Sequence, residues 1–259
     1  MFLEHDNDND KKVNPYLAKS AFFDAQAVKG WAADEYGEEE LKKLALLFNK
    51  TGCLSGKRIL EPGCGTGRLT WILSRKVGEN GKVVALDISA AMVESTRKRV
   101  AGAANTTVLL TEVENLSINS EPHFPKQKFP INQVAENPFP EVSLPGEKNF
   151  ELEKFGLEKF DMEKKFDLII CHQVFPHIEN KAFCLKKFND LLMPDGKVIL
   201  FHFINFEEIN NVHRKAGTVV HQDMMPDDSE MELLFNGAGF KIKFIRNDKN
   251  GYFLLACRS

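Results

Sequence analysis

The sequence has no long apolar run and no recognisable export signal. Its purely apolar stretches, such as Leu44–Phe48 and Val198–Phe201, fall far short of the roughly 20 residues that a membrane-spanning helix needs. The first residues, MFLEHDNDNDKK, carry neither the basic start nor the apolar core of a secretory signal. We therefore expect a chain that does not cross a membrane and that resides in the cytoplasm.

The sequence also lacks an excess of positive charge and a paired-cysteine pattern. The 34 lysines and arginines are balanced by 37 acidic residues, so the formal net charge is -3. No overall positive field attracts nucleic acid or an anionic membrane, and we expect neither as a partner. The five cysteines are scattered and none are spaced as CxxC. This pattern favours reduced thiols over a disulfide framework or a zinc knuckle.

Hydrophobic periodicity divides the chain into segments. Residues 1–13 are polar and acidic, so we expect a disordered tail there, followed by a single domain over residues 14–259. Apolar positions at near-helical spacing predict two helices in a cap over residues 14–55. After Gly56, short apolar runs alternate with amphipathic stretches, which predicts a three-layer α/β sheet with parallel strands. The last two strands, joined by Asn247–Gly251, are predicted to form an antiparallel hairpin at one edge.

A long segment interrupts this alternation over residues 117–165. It holds six of the eleven prolines and is too long for an ordinary connection in a compact domain, so we interpret it as an insertion. Three consecutive pentapeptides, beginning at Phe150, Phe155 and Phe160, repeat within it. A pentapeptide solenoid would need a small residue where each copy has Phe. We therefore favour a locally duplicated segment whose Phe and Leu side chains pack on the main domain.

The most specific motif is RILEPGCGTGRLT, from Arg58 to Thr70, at the end of the first predicted strand. Its glycines allow a sharp turn and leave room for a ligand against the main chain. Arg68 occupies the position of the third glycine in a dinucleotide-binding GxGxxG, which disfavours NAD and FAD, and the sequence has no GxxxxGKS/T phosphate loop. Asp87 ends the next predicted strand, where doubly wound folds place the carboxylate that binds both hydroxyls of a ribose.

With these residues the chain resembles the class I S-adenosylmethionine-dependent methyltransferases. The resemblance includes the acid Glu61, which precedes the glycines. It also includes TEVENL at Thr111–Leu116, which corresponds to the family's third-strand segment GDAENL. Finally, LLMPDGKVIL at Leu191–Leu200 contains a turn similar to the family's LKPGG turn before the fifth strand. It implies an α/β fold with a doubly wound, mostly parallel seven-stranded sheet of order 3-2-1-4-5-7-6, whose last strand is antiparallel, and an N-terminal helical cap. It also implies S-adenosylmethionine as cofactor and S-adenosylhomocysteine as product.

The same resemblance assigns roles to individual residues. Asp87 matches the acid that binds the ribose, Ile88 matches an apolar side chain that packs on the adenine, and Glu112 matches the acid that binds the adenine amino group. The glycine loop would enclose the methionine part of the cofactor. The complete expected cofactor-binding set is Glu61, Gly63, Cys64, Gly65, Gly67, Asp87, Ile88, Met92, Glu112, Val113 and Cys171.

Histidines are frequent in the expected acceptor region. The segment after the fourth predicted strand contains His172 and His177. Each is interpreted as a base or clamp for the acceptor, or else as a hydrogen-bonded scaffold group, and the scaffold role is favoured for His177. The segment lacks the N/D-P-P-Y/F signature of methyltransferases that act on amino groups of nucleic-acid bases and glutamine amides, which disfavours those substrates.

Three more histidines, His202, His213 and His221, lie in the fifth predicted strand and beyond it. Residues 202–226 resemble one branch of small methyltransferases with the pattern H, IN, H and DxLP. The intervals between the histidines match no compact metal motif, so we expect no metal site, and a three-histidine site is the alternative. We favour His202 as a base or acceptor-orienting residue because a strand would hold it rigidly. The expected catalytic set is His202, His172 and His213.

Two classes of function are compatible with these features. One is an enzyme that methylates a small molecule at oxygen, nitrogen, sulfur or carbon. The alternative is a catalytically inactive subunit that binds S-adenosylmethionine and uses the insertion as a docking arm for another protein. Polar side chains in the acceptor region, including His172, Gln173, His202 and His213, favour the enzyme. An RNA or protein methyltransferase would be indicated by a basic tract or an appended binding domain, and the sequence shows neither.

Overall fold

The computed structural model describes residues 15–116 and 165–259. The expected tail at 1–13 and the expected insertion, apart from Lys165, lie outside the described residues. No helix within these two ranges is long and apolar enough to cross a membrane.

Three helices come first in the described chain, and strands then alternate with helices. The helices are α1 (Pro15–Gln26), α2 (Gly30–Ala33), α3 (Glu38–Thr51), α4 (Arg68–Val77), α5 (Ala90–Arg99), α6 (Lys181–Leu191), α7 (Phe206–Lys215) and α8 (Asp228–Gly237). The strands are β1 (Arg58–Pro62), β2 (Lys82–Asp87), β3 (Thr106–Leu110), β4 (Phe166–His172), β5 (Leu192–His202), β6 (Phe240–Asp248) and β7 (Gly251–Arg258). Single 3-10 turns follow β3 at Val113–Asn115 and β4 at Phe175–His177.

These strands form one sheet of order β3-β2-β1-β4-β5-β7-β6. Strands β1 to β5 pair in parallel, whereas β7 pairs antiparallel with both β5 and β6. The turn between β6 and β7 is closed by a hydrogen bond of 2.8 Å from the Asn250 amide to Asp248 Oδ1. The predicted doubly wound sheet, its strand order, its antiparallel last strand and the final hairpin are confirmed.

The direction of the crossovers places helices on both faces of the sheet. The crossovers through α4 and α5 lead toward the β3 edge of the sheet, whereas the crossover through α6 leads toward the β6 edge. Because such crossovers are almost always right-handed, α6 lies on the face of the sheet opposite to α4 and α5. Leu44 and Leu47 of α3 add to the core on the α4 face, together with alternate strand residues such as Ile170 and Phe201. The order reverses between β1 and β4, and open α/β sheets bind ligands at the carboxyl edge of such a switch point.

Three local features differ from the expectations. The first cap helix is divided into α1 and α2, and the break precedes Gly30, a poor helix former. Strand β5 begins at Leu192, which pairs with Phe166 before a register shift, and so it starts earlier than predicted.

Helix α7 was not predicted. Its start carries a capping box, in which the Glu208 amide donates to Asn205 Oδ1 over 3.0 Å and the Asn205 amide donates to Glu208 Oε2 over 3.1 Å, so Asn-x-x-Glu was the available signal.

Candidate functional site

The parallel strands end together at one edge, where a pocket lies. It is lined by the β1–α4 loop, the end of β2, residues 111–114, the segment after β4 and the helical cap. The predicted residues that line it are Glu61, Gly63, Cys64, Gly65, Asp87, Ile88, Met92, Glu112, Val113 and His172. The topology therefore brings most of the expected cofactor-binding set to one place.

Gly67, Cys171, His202 and His213 do not line this pocket. Strand side chains alternate between the two faces, so His172 faces the pocket while Cys171 points to the opposite face. The same alternation acts in β5, where the Phe201 ring stacks on His172 at 5.2 Å and His202 points away from it. Gly67 is the N-cap residue of α4 and lies close to Thr96 of α5.

Asp87 is fixed at the end of β2 by main-chain donors. The Gly65 amide donates to its Oδ2 and the Ser89 amide to its Oδ1, both over 2.9 Å. Burial raises the pKa of this carboxyl to about 6, although the backbone hydrogen bonds act in the opposite direction. Each oxygen keeps a further lone pair for a ligand. Asp87 is therefore an oriented acceptor for two neighbouring hydroxyl groups.

Glu61 is a buried acid that faces the same pocket. Only 1% of the residue is exposed, and its Oε2 has no hydrogen-bond partner among the described residues. Burial raises the pKa of Glu61 to about 8, and the nearby charge of Asp87 acts in the same direction. A buried acid with an unsatisfied oxygen is costly in a purely structural position. This environment is better explained by a polar or cationic ligand.

We expect the contribution of Glu61 to the stability of the ligand-free protein to fall as the pH rises from 6 to 8. The folded state holds a proton on Glu61 up to about pH 8, whereas the unfolded chain releases it near its ordinary pKa of about 4.3. The unfolded state therefore binds fewer protons in this window, which lowers the free energy of unfolding by on the order of 2 kcal/mol over the two pH units. Urea unfolding of the wild type and of Glu61→Gln at both pH values isolates this effect, because the buried His172 and His202 titrate in both proteins. The wild type should lose on the order of 2 kcal/mol relative to Glu61→Gln between pH 6 and pH 8. A difference in stability between the two proteins that is the same at both pH values would contradict this account of Glu61.

The β1–α4 loop reaches the pocket because Gly63 permits a close approach of two chain segments. Its φ is +66°, and a Cβ atom there would lie 2.3 Å from Val174 Cγ2. Val174 belongs to the segment that follows β4, which also lines the pocket. The glycine thus lets bare main chain form one wall of the site.

The helical cap covers one side of the pocket with aromatic side chains. Phe23, Trp31 and Tyr36 all line it. The Arg68 guanidinium donates to the Trp31 carbonyl over 2.8 Å and lies 4.2 Å from the centre of the Tyr36 ring. Asp24 joins α1 to the start of α5, where its Oδ1 accepts from Ser89 Oγ over 2.5 Å. The cap is therefore tied to the two elements that carry the glycine loop and Asp87.

His172 and His202 differ in their surroundings. The Nδ1 atom of His172 lies 3.3 Å from the Phe201 carbonyl, and burial lowers the pKa of His172 to about 3. His202 is also buried, and burial holds its pKa well below the usual value, helped by the neighbouring His172, His177 and His213. The Nε2 atoms of His172 and His202 have no partner within the described ranges. Both rings are neutral at physiological pH.

A polar network that the sequence did not predict lies beside the pocket. The Asp223 carboxylate bonds His177 Nδ1 through Oδ2 over 2.8 Å and accepts from Lys19 Nζ through Oδ1 over 2.7 Å. Lys19 is only 4% exposed, and it also contacts the Glu179 carboxylate at 2.5 Å and the His177 carbonyl at 3.0 Å. The DxxP part of the pattern in residues 202–226 was the available signal for Asp223.

Two residues of α7 hold the chain around Asp223. His213 Nδ1 bonds the Asp223 carbonyl, and Asn210 exchanges hydrogen bonds with the backbone of Met225, at 2.8 Å and 3.2 Å. His221 is exposed, and its Nδ1 bonds the nearby Thr218 carbonyl over 2.8 Å. In the part of the chain that the structure describes, no group of three or more His, Cys, Asp or Glu side chains is arranged to hold a metal ion. His213 thus helps to order the loop around Asp223.

The arrangement fits the expected cofactor. Asp87 presents two oriented oxygens for a ribose, and Glu61 has an orphaned buried oxygen beside the glycine loop. Ile88 and Met92 offer apolar surface next to Asp87, while Glu112 and Val113 lie on the adjoining wall. These groups match an adenosine joined to a cationic amino-acid chain.

Comparison with known proteins gives the same assignment. A family model described as a methyltransferase domain matches residues 60–198. The ubiquinone/menaquinone biosynthesis C-methyltransferase of Cronobacter sakazakii is 24% identical over 213 residues, which cover 74% of this chain and 69% of that one. The ubiquinone biosynthesis O-methyltransferase of Pasteurella multocida is 25% identical over 164 residues, which cover 63% of this chain and 52% of the relative. The chain thus matches about half the length of the Pasteurella enzyme.

Solved structures show the same fold at low sequence identity. Magnesium protoporphyrin IX methyltransferase from Synechocystis, solved with S-adenosylhomocysteine, is 16% identical with a TM-score of 0.56, and the match covers 95% of this chain and all of that one. DhpI in complex with S-adenosylhomocysteine is 16% identical with a TM-score of 0.57, and the match covers 94% of this chain and 96% of that one. At these identities the likeness concerns the fold.

Proposed function

The chain belongs to the class I S-adenosylmethionine-dependent methyltransferases, and from this premise we propose that it methylates a small-molecule acceptor. When bound, S-adenosylmethionine supplies a sulfonium methyl group and leaves as the neutral thioether S-adenosylhomocysteine. The observation that carries the proposal is Asp87, held by two main-chain amides in the same pocket as Glu61, the glycine loop and the aromatic cap. Asp87 would bind the ribose, and Glu61 would face the methionine part.

The helical cap supports a small acceptor. Phe23, Trp31 and Tyr36 cover one side of the pocket, which leaves a site partly enclosed by rings. Planar apolar surfaces with a few convergent polar groups are typical of sites for small organic molecules. The relatives from Cronobacter and Pasteurella are named for the biosynthesis of small molecules, which favours the same class. The comparisons give no support to the inactive-subunit alternative.

Transfer of the methyl group needs the acceptor to be held in line with the breaking bond. Positioning alone contributes up to roughly 7 to 11 kcal/mol to such a displacement. The last residue of β4, His172, and the segment that follows it, including Gln173 and His177, line the pocket together with the β1–α4 loop and the cap. Gln173 has a φ of +56°, the only positive φ of a non-glycine residue in the described ranges. Backbone conformations of this kind are often kept at functional sites, so we assign this segment to the acceptor.

A labelled-methyl screen tests the proposal. The full chain is incubated with methyl-tritiated S-adenosylmethionine and fractions of a low-molecular-weight metabolite extract, and label is followed into products. We expect enzyme-dependent label in at least one small-molecule fraction, with S-adenosylhomocysteine formed in equal amount. Binding of S-adenosylmethionine without transfer to any fraction would overturn the proposal and favour the inactive subunit. The cytoplasmic location and a protein partner for residues 117–165 stay predictions.

A further inference from the structure

We propose that His177 is the general base that removes a proton from a hydroxyl acceptor, and that Asp223 and Lys19 orient it. The inference rests on the proposed function, because it assigns a role and a substrate class within the same site. His177 is one of the residues that line the cofactor pocket, and its Nδ1 atom is bound to Asp223 Oδ2 at 2.8 Å.

This hydrogen bond decides which nitrogen carries the proton. An ionised carboxylate has no hydrogen to donate, so Nδ1 of His177 is the donor and carries the hydrogen. Nε2 of the neutral ring then keeps its lone pair and makes no hydrogen bond within the described part of the chain. A base oriented by an acid through its other nitrogen is the arrangement that activates hydroxyl groups in many enzymes.

The charge of Asp223 is maintained by its own partners. Burial raises the pKa of Asp223, but the hydrogen bonds from His177 and Lys19 outweigh this effect, and the pKa lies below its usual value. Lys19 comes from α1 of the cap and also contacts Glu179 and the His177 carbonyl. The cap thus contributes directly to the orientation of the base.

The charged and titratable groups around His177 come from several elements. They are Lys19 of α1, Glu179, which pairs with Lys19, Lys181 of α6, His202 of β5, His213 of α7 and Asp223 of the α7–α8 loop. Phe23 of α1 and His213 lie beside the His177 ring, at centroid distances of 5.0 Å and 4.7 Å. Of these groups, Asp223 is the one whose charge bonds the ring directly, so it stabilises the imidazolium that forms on proton transfer.

His177 satisfies the geometric requirement better than the other histidines. His202 does not line the pocket, and His213 uses its Nδ1 to hold the Asp223 carbonyl. His172 lines the pocket, but its ring is stacked against Phe201, and burial lowers its pKa to about 3. Such a weak base is poorly matched to a hydroxyl proton at neutral pH.

The surrounding rings favour an aromatic hydroxyl as the acceptor. Phe23, Trp31 and Tyr36 line the pocket, and aromatic side chains pack favourably against a planar aromatic ligand. In the transfer step, the acceptor oxygen forms a bond to the methyl carbon while the carbon–sulfur bond breaks and its electron pair stays on sulfur. The hydroxyl proton moves to Nε2 of His177, and the resulting imidazolium later returns it to water. Charge and atoms balance without any further reactant.

The first test reads the tautomer of His177 and needs no acceptor. Nitrogen-15 NMR of the imidazole groups in the full chain should show His177 as the Nδ1–H tautomer, with free histidine in the same buffer as the reference for a solvated ring. Asp223→Asn should shift His177 to a mixture of tautomers, whereas the matched variant Asp195→Asn, on the exposed start of β5, should leave it unchanged. An Nε2–H tautomer in the wild type would overturn the proposal.

The second test uses the acceptor found by the labelled-methyl screen. The methylated atom should be the oxygen of an aromatic hydroxyl. His177→Gln should lower turnover by roughly 10² to 10⁴-fold, and Asp223→Asn by at least about tenfold, while calorimetry shows S-adenosylmethionine affinity within about twofold of the wild type.

The outcomes separate this inference from the function on which it rests. A screen in which the wild type methylates nothing fails the proposed function, whatever the tautomer of His177 is. Methylation that His177→Gln leaves within about twofold of the wild type overturns only the base assignment. If His202→Gln then abolishes turnover, His202 is the base, as expected from the sequence. Methylation of an atom that bears no proton overturns the base role as well.

Discussion

Asp87→Ala is expected to weaken S-adenosylmethionine binding by more than tenfold. The carboxylate is an oriented acceptor whose two oxygens are held by Gly65 and Ser89, and a hydrogen bond to a charged group contributes roughly 1.5 to 3 kcal/mol. Calorimetric titration of the ligand-free protein at pH 7.5 measures the change. Asp195→Ala is the matched control, because Asp195 is an exposed acid at the start of β5 and away from the pocket lining.

The pH dependence of the same titration gives an independent check. Since burial raises the pKa of Asp87 to about 6, protonation below this pH removes acceptor capacity, and wild-type affinity should fall as the pH is lowered from 7.5 to 5.5. Asp87→Ala should show a weaker dependence because it has no carboxyl to protonate. Unchanged affinity in Asp87→Ala at pH 7.5 would show that the ribose does not lie on this residue.

Gly251→Ala is expected to be the most destabilising single-methyl substitution in the final hairpin. The φ of Gly251 is +106°, and a Cβ atom there would lie 2.2 Å from the His202 carbonyl oxygen and 2.9 Å from the Phe203 carbonyl carbon. Both neighbours are main-chain atoms, so relief requires the end of β5 or the start of β7 to move. Backbone strain and overpacking together should cost at least about 3 kcal/mol.

Gly102→Ala separates the two causes. Gly102 has a φ of +84°, but a Cβ atom added there would have no neighbour within 4 Å, so only backbone strain acts, at about 1 kcal/mol or slightly more. Urea unfolding of both variants measures the difference, and thermal midpoints should fall by roughly 2 to 4 °C per kcal/mol for a domain of this size. If Gly251→Ala loses no more stability than Gly102→Ala, the close approach at Gly251 adds nothing to the backbone strain, contrary to this prediction.

The fold was predictable because local and long-range signals agree. Alternating apolar runs and amphipathic stretches predicted a parallel sheet, and the resemblance supplied the order that the structure confirms. The glycine loop and Asp87 were predictable for the same reason, since both follow strands whose carboxyl ends share one edge. Helix α7 was missed because its start depends on the capping pair Asn205 and Glu208, and not on an apolar stripe.

The acceptor side was less predictable because it depends on contacts between distant segments. Lys19 and Asp223 are 204 positions apart in the sequence, and nothing local indicates that they meet. The placement of His202 depends on strand alternation, since a shift of one residue turns a side chain to the other face of the sheet. His177 was interpreted mainly as a scaffold group because a loop histidine commonly has that role, and its partner Asp223, 46 positions away, is not indicated by any local signal.

The central claim is that the cofactor lies at the carboxyl edge of β1 and β2, with its reactive end toward the segment after β4. A crystal structure of the full chain with S-adenosylhomocysteine tests this most directly. We predict both ribose hydroxyls within hydrogen-bond distance of the Asp87 carboxylate, the amino-acid part against the β1–α4 loop, and the sulfur facing the side of the pocket that carries His177. A ligand bound elsewhere, or a ribose that makes no contact with Asp87, would contradict the account.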